Sequence, residues 1–289
     1  MPTLSLRPLA DLPSTVAASF HTLLTDIDDT LSSDGRLTAE AYSALQALRQ
    51  AGLRVVPVTG RPAGWCDHIA RMWPVDGVVG ENGAFYMWHD EAARRLRSRH
   101  VLDAGQRQAM ASRLAAVRDQ VLREVPGCAL ASDQFCRQYD LAIDFCEDVP
   151  PLPAAAVDRI AALMREAGMT AKVSSIHVNG WFGDWDKLGT TRLMLAERWG
   201  IDLTAERERI VFAGDSPNDE PMFAFFPHAV GVANVLDARD RLRSLPAWIT
   251  PSRAGAGFVE LAAEVIAARR GAIGAGSAAP AQVVSARAG

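Results

Sequence analysis

Apolar residues are distributed along the chain in two patterns. Five runs are short and continuous: Thr22–Ile27, Arg54–Thr59, Gly77–Gly80, Ile210–Gly214 and Ala229–Val232. A strand covered on one face alternates apolar and polar positions, so unbroken runs of this length predict parallel strands buried under helices on both faces. Between the first two runs lies a helical period. Thr38 can cap its start, Ala41, Leu45 and Leu48 form an inward stripe, and Gly52 ends it. Strand, helix and strand at this spacing make a right-handed βαβ unit. A second helical stretch, Thr190–Trp199, precedes the run at Ile210. The pattern therefore predicts an α/β protein with a doubly wound, Rossmann-like parallel sheet.

The middle of the chain has a different rhythm. A polar helix is expected from Ala104 to about Glu124, then an alternating stretch Tyr139–Phe145. After the step at Pro150, Pro151 and Pro153 comes a helix over Ala154–Ala167, with strand-like pieces at Ala171–Val178 and Trp181–Trp185. Helices and antiparallel-type strands in turn predict an α+β domain inserted into the first. The expected division is a discontinuous core, 1–83 plus 185–270, and an insert, 84–184. The last stretch, 271–289, is mostly Ala, Gly and Ser with Arg287 as its single charge. It is expected to lack packed structure.

Charge narrows the choice of partner. The 30 Lys and Arg against 34 Asp and Glu leave a net charge of −4, which gives no basic field for nucleic acid or anionic lipid. No run approaches the roughly 20 apolar residues that span a bilayer. The stretch Met1–Phe20 contains Arg7 and Asp11 and is interrupted by Pro2, Pro8 and Pro13, unlike a secretion signal. Cys66, Cys128, Cys136 and Cys146 are widely spaced and read as reduced thiols, so a cytoplasmic protein is expected. Nothing in the sequence fixes an oligomeric state.

The chemistry is concentrated where strands end. Asp26-Ile27-Asp28-Asp29-Thr30 follows the first strand, and three carboxylates this close repel one another without a counterion. A divalent cation supplies one, and oxygen ligation favours Mg²⁺. The strand at Ile210 ends in Gly214-Asp215-Ser216-Pro217-Asn218-Asp219, a second carboxylate pair. The second strand ends in Thr59-Gly60-Arg61, a hydroxyl and a turn suited to a phosphate. Lys187, just ahead of the helix at Thr190, adds a positive charge. Ligands of open α/β sheets bind beyond the carboxyl ends of the strands, and this set is one for phosphoryl transfer.

On these residues the chain resembles the haloacid dehalogenase superfamily of aspartate-nucleophile phosphatases, over about Thr22 to Ala267. Its four motifs occur in order as Asp26–Thr30, Val58–Arg61, the lysine within Asp184–Gly189, and Gly214–Asp219. The resemblance implies Asp26 as nucleophile, Asp28 as general acid and base, Thr59 as a hydrogen-bond donor to the phosphoryl group, and Lys187 as its counter-charge. It implies Mg²⁺ held by Asp26, the main-chain carbonyl of Asp28 and Asp215, with Asp219 supporting directly or through water and Asn218 sharing that shell. Dehalogenases of the family need neither the second aspartate nor a metal; with Asp28 and the fourth motif intact, phosphoryl chemistry is expected. Asp29 departs from the pattern, standing where many relatives have glycine.

The interval from Thr59 to Lys187 is the family's second cap position. The turn Gly80-Glu81-Asn82-Gly83-Ala84 resembles the entry to the cap in the class IIB, Cof-type and sucrose-phosphatase-like group, whose members mostly hydrolyse sugar phosphates and other small phosphomonoesters. The phosphate and substrate would then meet Thr59, Gly60, Arg61, Asn82, Lys187 and Asn218. In the insert, Ser175, His177 and Asn179 share one face of an alternating stretch and are candidates to read substrate hydroxyls. Trp181 and Trp185 can stack on a sugar or pack between domains, and His68 and Cys66 read as inert. A phosphotransferase or mutase, and a non-catalytic sensor of a phosphorylated metabolite, are the competing readings. A large helical cap between the first two motifs would mark the mutase, and loss of a motif residue would mark the sensor.

Overall fold

The computed structural model describes residues 6–276. Strand β1 (Arg7–Pro8) and helix α1 (Ser14–Ser19) precede β2 (Thr22–Thr25), α2 (Ala39–Gln50), β3 (Arg54–Pro57), α3 (Ala63–Met72) and β4 (Val78–Gly80). The hairpin β5 (Phe85–Asp90) and β6 (Arg95–His100) follows, then α4 (Ala104–Glu124), β7 (Ala129–Leu130), β8 (Leu141–Asp144), α5 (Ala154–Glu166), β9 (Thr170–Val173) and β10 (His177–Trp181). The chain returns through α6 (Lys187–Trp199), α7 (Leu203–Glu206), β11 (Ile210–Gly214), α8 (Glu220–Phe225), β12 (Val230–Gly231), β13 (Trp248–Ile249) and α9 (Ala254–Gly276).

The core is a parallel sheet in the order β1-β13-β12-β11-β2-β3. Its strands read as continuous apolar runs because neighbouring side chains enter two different cores. Leu23, Val55 and Val211 pack with Leu45 and Leu48 of α2 and Phe258 and Leu261 of α9. Leu24, Val56 and Phe212 pack on the opposite face with Met194 and Leu195 of α6 and Met222 of α8. Each of these side chains is fully buried, worth about 1.5–3 kcal/mol apiece relative to exposure. Strands β2 and β11 run side by side, and Asp26 N–H donates to Ala213 O at 2.9 Å just past the end of β2. The first and fourth motifs are thereby adjacent.

A second sheet, β7-β8-β10-β9, is antiparallel and carries α4 and α5, whose Val117, Val121, Val157, Ile160 and Met164 are buried beneath it. This is the inserted α+β cap. The hairpin β5–β6 does not belong to its sheet. It pairs with β4, which a bridge between Val58 and Val79 joins to the edge of the core. A boundary at Ala84 therefore falls beside paired strands of the core, and the separate cap sheet begins beyond α4.

Other boundaries also differ from expectation. The stretch Ala171–Val178 is no single strand: Ser174 turns the chain, its N–H donating to His177 O at 2.9 Å, and β9 and β10 form a hairpin. The later strand ends at Trp181, not Trp185. Helix α6 starts at Lys187, where Asp186 caps it by accepting Gly189 N–H at 2.6 Å. Residues 271–276 continue α9, since an Ala-rich composition that looks featureless is also strongly helix-forming; the rest of the expected unstructured tail, 277–289, lies outside the described residues. None of the described helices is long and apolar enough to cross a membrane.

Candidate active site

The first motif leaves β2 in a tight loop. Leu31 and Ser32 N–H both donate to Ile27 O at 2.9 Å, which turns the chain back and presents Asp26 and Asp28 above the sheet. Asp29 takes the left-handed conformation, φ 55°, the conformation that glycine accepts without strain. Its side chain points to the cleft shared with Ser175 of the cap. Burial pushes the Asp29 carboxyl above its ordinary range.

Asp26, Asp215 and Asp219 converge, one carboxylate oxygen from each lying within 4.8 Å of the others. Lys187 Nζ donates to Asp26 Oδ1 at 2.6 Å and to Asp219 Oδ1 at 2.7 Å. Asp219 uses its other oxygen to accept the N–H groups of Asp215 and Ser216, at 3.1 and 3.3 Å, and so shapes the turn that carries Asp215. Three buried carboxylates against one ammonium leave an excess of negative charge. Burial first, then Asp219 and Asp28, push Asp26 up to about 8 despite the pull of Lys187. Burial, Asp26 and Asp219 raise Asp215 well above the carboxylate range. Burial opposes the charge on Lys187, but Asp219 and Asp26 outweigh it and hold the amine protonated. Hard oxygen donors with surplus charge fit a hard divalent cation.

Asp28 lies outside this cluster. Arg61 grips its carboxylate, Nη2 at 2.8 Å and Nε at 3.0 and 3.1 Å. The same guanidinium reaches the cap, donating to Glu147 at 2.7 Å and Asp133 at 3.4 Å, and lies over the Trp65 ring. Glu147 is aimed by Asp144, which accepts the N–H groups of Cys146, Glu147 and Asp148 at 2.8–2.9 Å. Burial pushes Glu147 up, but His177 and Arg61 overcome it and hold the carboxyl at about 2. His177 Nε2 stands 2.9 Å from Glu147 Oε2. Asn179 Nδ2 donates to Asp140 at 2.9 Å. Asp140 also holds Arg137, which donates to the core at Gly60 O, 2.9 Å away.

A small enclosed cavity lies between these groups, with Asp26, Asp28 and Asn218 below and Arg137, His177 and Asn179 above. A cleft of about 620 Å³ opens beside it, past Ser174, Asp215 and Asn234. Thr59 is fully buried, and its hydroxyl accepts Arg61 N–H at 3.0 Å. Asn218 accepts Ser216 Oγ at 2.8 Å. Asn82 N–H donates to Thr59 O at 3.0 Å, and both polar atoms of its buried side chain lack a protein partner beside Gly60. Asp26, Asp28, Gly60, Arg61, Asn218, His177 and Asn179 thus meet at one cavity, with Asp215, Asp219 and Lys187 around Asp26. Trp181 and Trp185 stack on each other, and Trp185 meets Tyr139 edge-on, as packing. His68 faces solvent, and burial raises the Cys66 thiol, leaving it inert.

Several residues at the site have roles that their places in the sequence, inside a motif or not, did not predict. Thr30 and Asn234 each donate to Asp215 at 3.0 Å. Glu81, fully buried, accepts N–H groups from Ala63 of the core and from Gln138, Tyr139 and Asp140 of the cap, at 2.6–3.3 Å. Arg137, Asp140 and Glu147 complete the cap wall. The one local signal is Glu81-Asn82 ahead of Gly83, polar residues between apolar strands, both at positive φ.

A family model for haloacid dehalogenase-like hydrolases matches residues 23–112. The phosphoglycolate phosphatase of Methanoculleus marisnigri is 26% identical over 246 residues, covering 83% of this chain and 94% of that protein. Among solved structures, a HAD/COF-like hydrolase from Plasmodium vivax superposes with TM-score 0.64 at 17% identity, over 88% of this chain and 99% of the other. The sucrose-phosphatase of Synechocystis, solved with sucrose and phosphate, gives 0.55 at 16%, over 84% and 97%. Over residues 23–112 the chain is similar to the haloacid dehalogenase-like hydrolases, and over most of its length it shares the fold of these solved structures. The Methanoculleus protein and a relative from Pyrobaculum neutrophilum, 27% identical over 223 residues, are both phosphoglycolate phosphatases, and the solved structures that share this fold of core and cap include a subclass IIB sugar phosphatase.

Proposed function

We propose that the chain is a Mg²⁺-dependent phosphomonoesterase that works through an aspartyl-phosphate on Asp26, with a small polyol such as a sugar as leaving group. The carrying observation is the buried group of Asp26, Asp215 and Asp219 on one lysine, with Asp28 beside it. Asp26, Asp215 and the main-chain carbonyl of Asp28 would hold the ion, with Asp219 behind them. Bound there, Mg²⁺ supplies positive charge against the phosphoryl oxygens. Lys187 fixes Asp26 Oδ1, leaving the other carboxylate oxygen to attack phosphorus. As the P–O ester bond breaks, Asp28 gives its proton to the leaving oxygen. Asp28 then takes a proton from the water that attacks phosphorus, and the Asp26–phosphate bond breaks to release inorganic phosphate. Thr59, Gly60, Asn218 and the unpartnered amide of Asn82 are the phosphoryl-site groups of this reading. Arg61 has to release Asp28 for either proton transfer.

A neutral leaving group is favoured by the cavity wall. Both guanidiniums there, Arg61 and Arg137, are already met by Asp28, Asp133, Asp140 and Glu147. Glycolate, the leaving group named for the Methanoculleus relative, brings a carboxylate into that acidic surround. His177 and Asn179 offer polar contacts for hydroxyls instead. The cap of this reading is the unit from α4 to β10, within the expected insert of 84–184. Phosphate release from a panel of sugar phosphates and phosphoglycolate, with Mg²⁺ and after chelation, tests the whole proposal. Activity that survives exhaustive chelation sinks the metal mechanism, and a clear preference for phosphoglycolate sinks the neutral leaving group.

A further inference from the structure

Asp215 has a donor on each carboxylate oxygen. Thr30 Oγ1 donates to Oδ1 and Asn234 Nδ2 to Oδ2, each at 3.0 Å. The same Nδ2 donates to the main-chain carbonyl of Asp29 at 2.8 Å. Asn234 Oδ1 accepts Ala254 N–H at 2.9 Å. The orientation of this amide is settled by its neighbours: rotated by half a turn, it would set donor against donor and acceptor against acceptors. Ala254, the first residue of α9, holds φ 50°, a conformation costing on the order of 1 kcal/mol or more outside glycine. In that conformation its N–H meets Asn234. One side chain therefore joins the loop after β2, the loop after β11 and the start of α9.

We infer that Asn234 is a positioning residue for the cation site: it sets the rotation of the Asp215 carboxylate and the height of the first-motif loop, so that Asp26 and Asp215 face one point. This rests on the Mg²⁺ reading above. A carboxylate turns easily about its terminal bond, and donors on both oxygens remove that freedom. Thr30 and Asn234 are neutral donors. They orient Asp215 without cancelling its charge, which remains available to a cation; an arginine or lysine in their place would neutralise it. Residues 234 and 215 are joined only through the fold, which explains why no spacing rule marks Asn234.

Calorimetric titration of the full chain with Mg²⁺ alone tests this, comparing wild type, Asn234→Ala and Asn234→Ser. Loss of an outer-shell partner typically weakens a metal by about 10–100-fold. That weakening is expected for Asn234→Ala, with half-saturating Mg²⁺ for phosphate release rising more than kcat at saturation falls. Asn234→Ser keeps a donor and should weaken binding less. Wild type that fails to bind Mg²⁺ sinks the metal reading itself. Wild type that binds while folded Asn234→Ala binds equally well overturns the role of Asn234 alone. If the variant is unfolded in chelator by circular dichroism, refolding on addition of Mg²⁺ supports the assignment. Remaining unfolded overturns it and makes Asn234 a brace of the fold.

Discussion

Asp26, Asp215 and Asp219 share a single lysine, so the metal-free site is under electrostatic stress that one substitution can relieve. Asp26, with an ordinary value near 3.8, is pushed up to about 8. A carboxyl raised on folding binds its proton more tightly in the native state, so stability falls as pH rises from the unfolded value through the folded one. Metal-free wild type should therefore lose stability between about pH 4 and pH 8, and Mg²⁺ should restore it. Asp26→Asn should flatten that slope, raise the melting temperature in chelator and cut turnover by several orders of magnitude. Melts across pH and phosphate-release assays read all three; near-wild-type turnover in this variant would refute the nucleophile. The clustered aspartates were legible because carboxylates crowded beyond an apolar run are a local pattern. Asp29 was not: only the observed φ explains why a glycine suits the position. Thr30, Asn234 and Glu81 act across the fold, where no sequence window sees both partners.

At the scale of elements, the βα units were legible because buried parallel strands and capped amphipathic helices leave short-range periods. The hairpin β5–β6 was not, since whether a strand joins the core sheet or the cap depends on its neighbour, β4, and not on its own pattern. Strand β10 shows the same limit. All five of its residues are buried, and its Asn179 side chain is committed to Asp140. Asn179 also lines the small cavity over Asp26 and Asp28, so Asn179→Ala should reduce kcat/KM for the natural ester more than for p-nitrophenyl phosphate, by about tenfold for one polar contact; equal losses would assign the side chain to its bond with Asp140 and the fold. The entry to the cap makes a sharper case. Gly83 has φ 105°, and a methyl group there would stand 2.1 Å from Asp186 O, at the start of the helix that carries Lys187. Gly83→Ala should lower stability by about 2 kcal/mol or more and displace Lys187, seen in denaturant melts and in kcat. A stable, fully active variant would show that this approach of turn to helix is slack.

Across the whole molecule, cap and core meet through charges. Glu147 is held at about 2 by His177 and Arg61 against the effect of burial. A carboxyl lowered on folding stabilises the native state above its unfolded value and loses that contribution as pH falls through the folded one. The link should weaken between about pH 4.5 and pH 2, and Glu147→Gln should remove that part of the acid dependence, as denaturant midpoints across this range would show. An unchanged acid limb would mean that Arg61 and His177 stabilise the charge no more than water does. The second attachment has another consequence. Glu81 belongs to the core turn, yet its carboxylate gathers backbone N–H groups from cap residues 138–140 as well as Ala63. Mechanically, that cap segment is fastened to the core, and the line along which cap and core are held together does not follow the line along which the chain was spliced. Anyone grafting a foreign cap onto this core to change its substrate would have to transplant the partner of residue 81 along with it, or leave a buried carboxylate with nothing to hold.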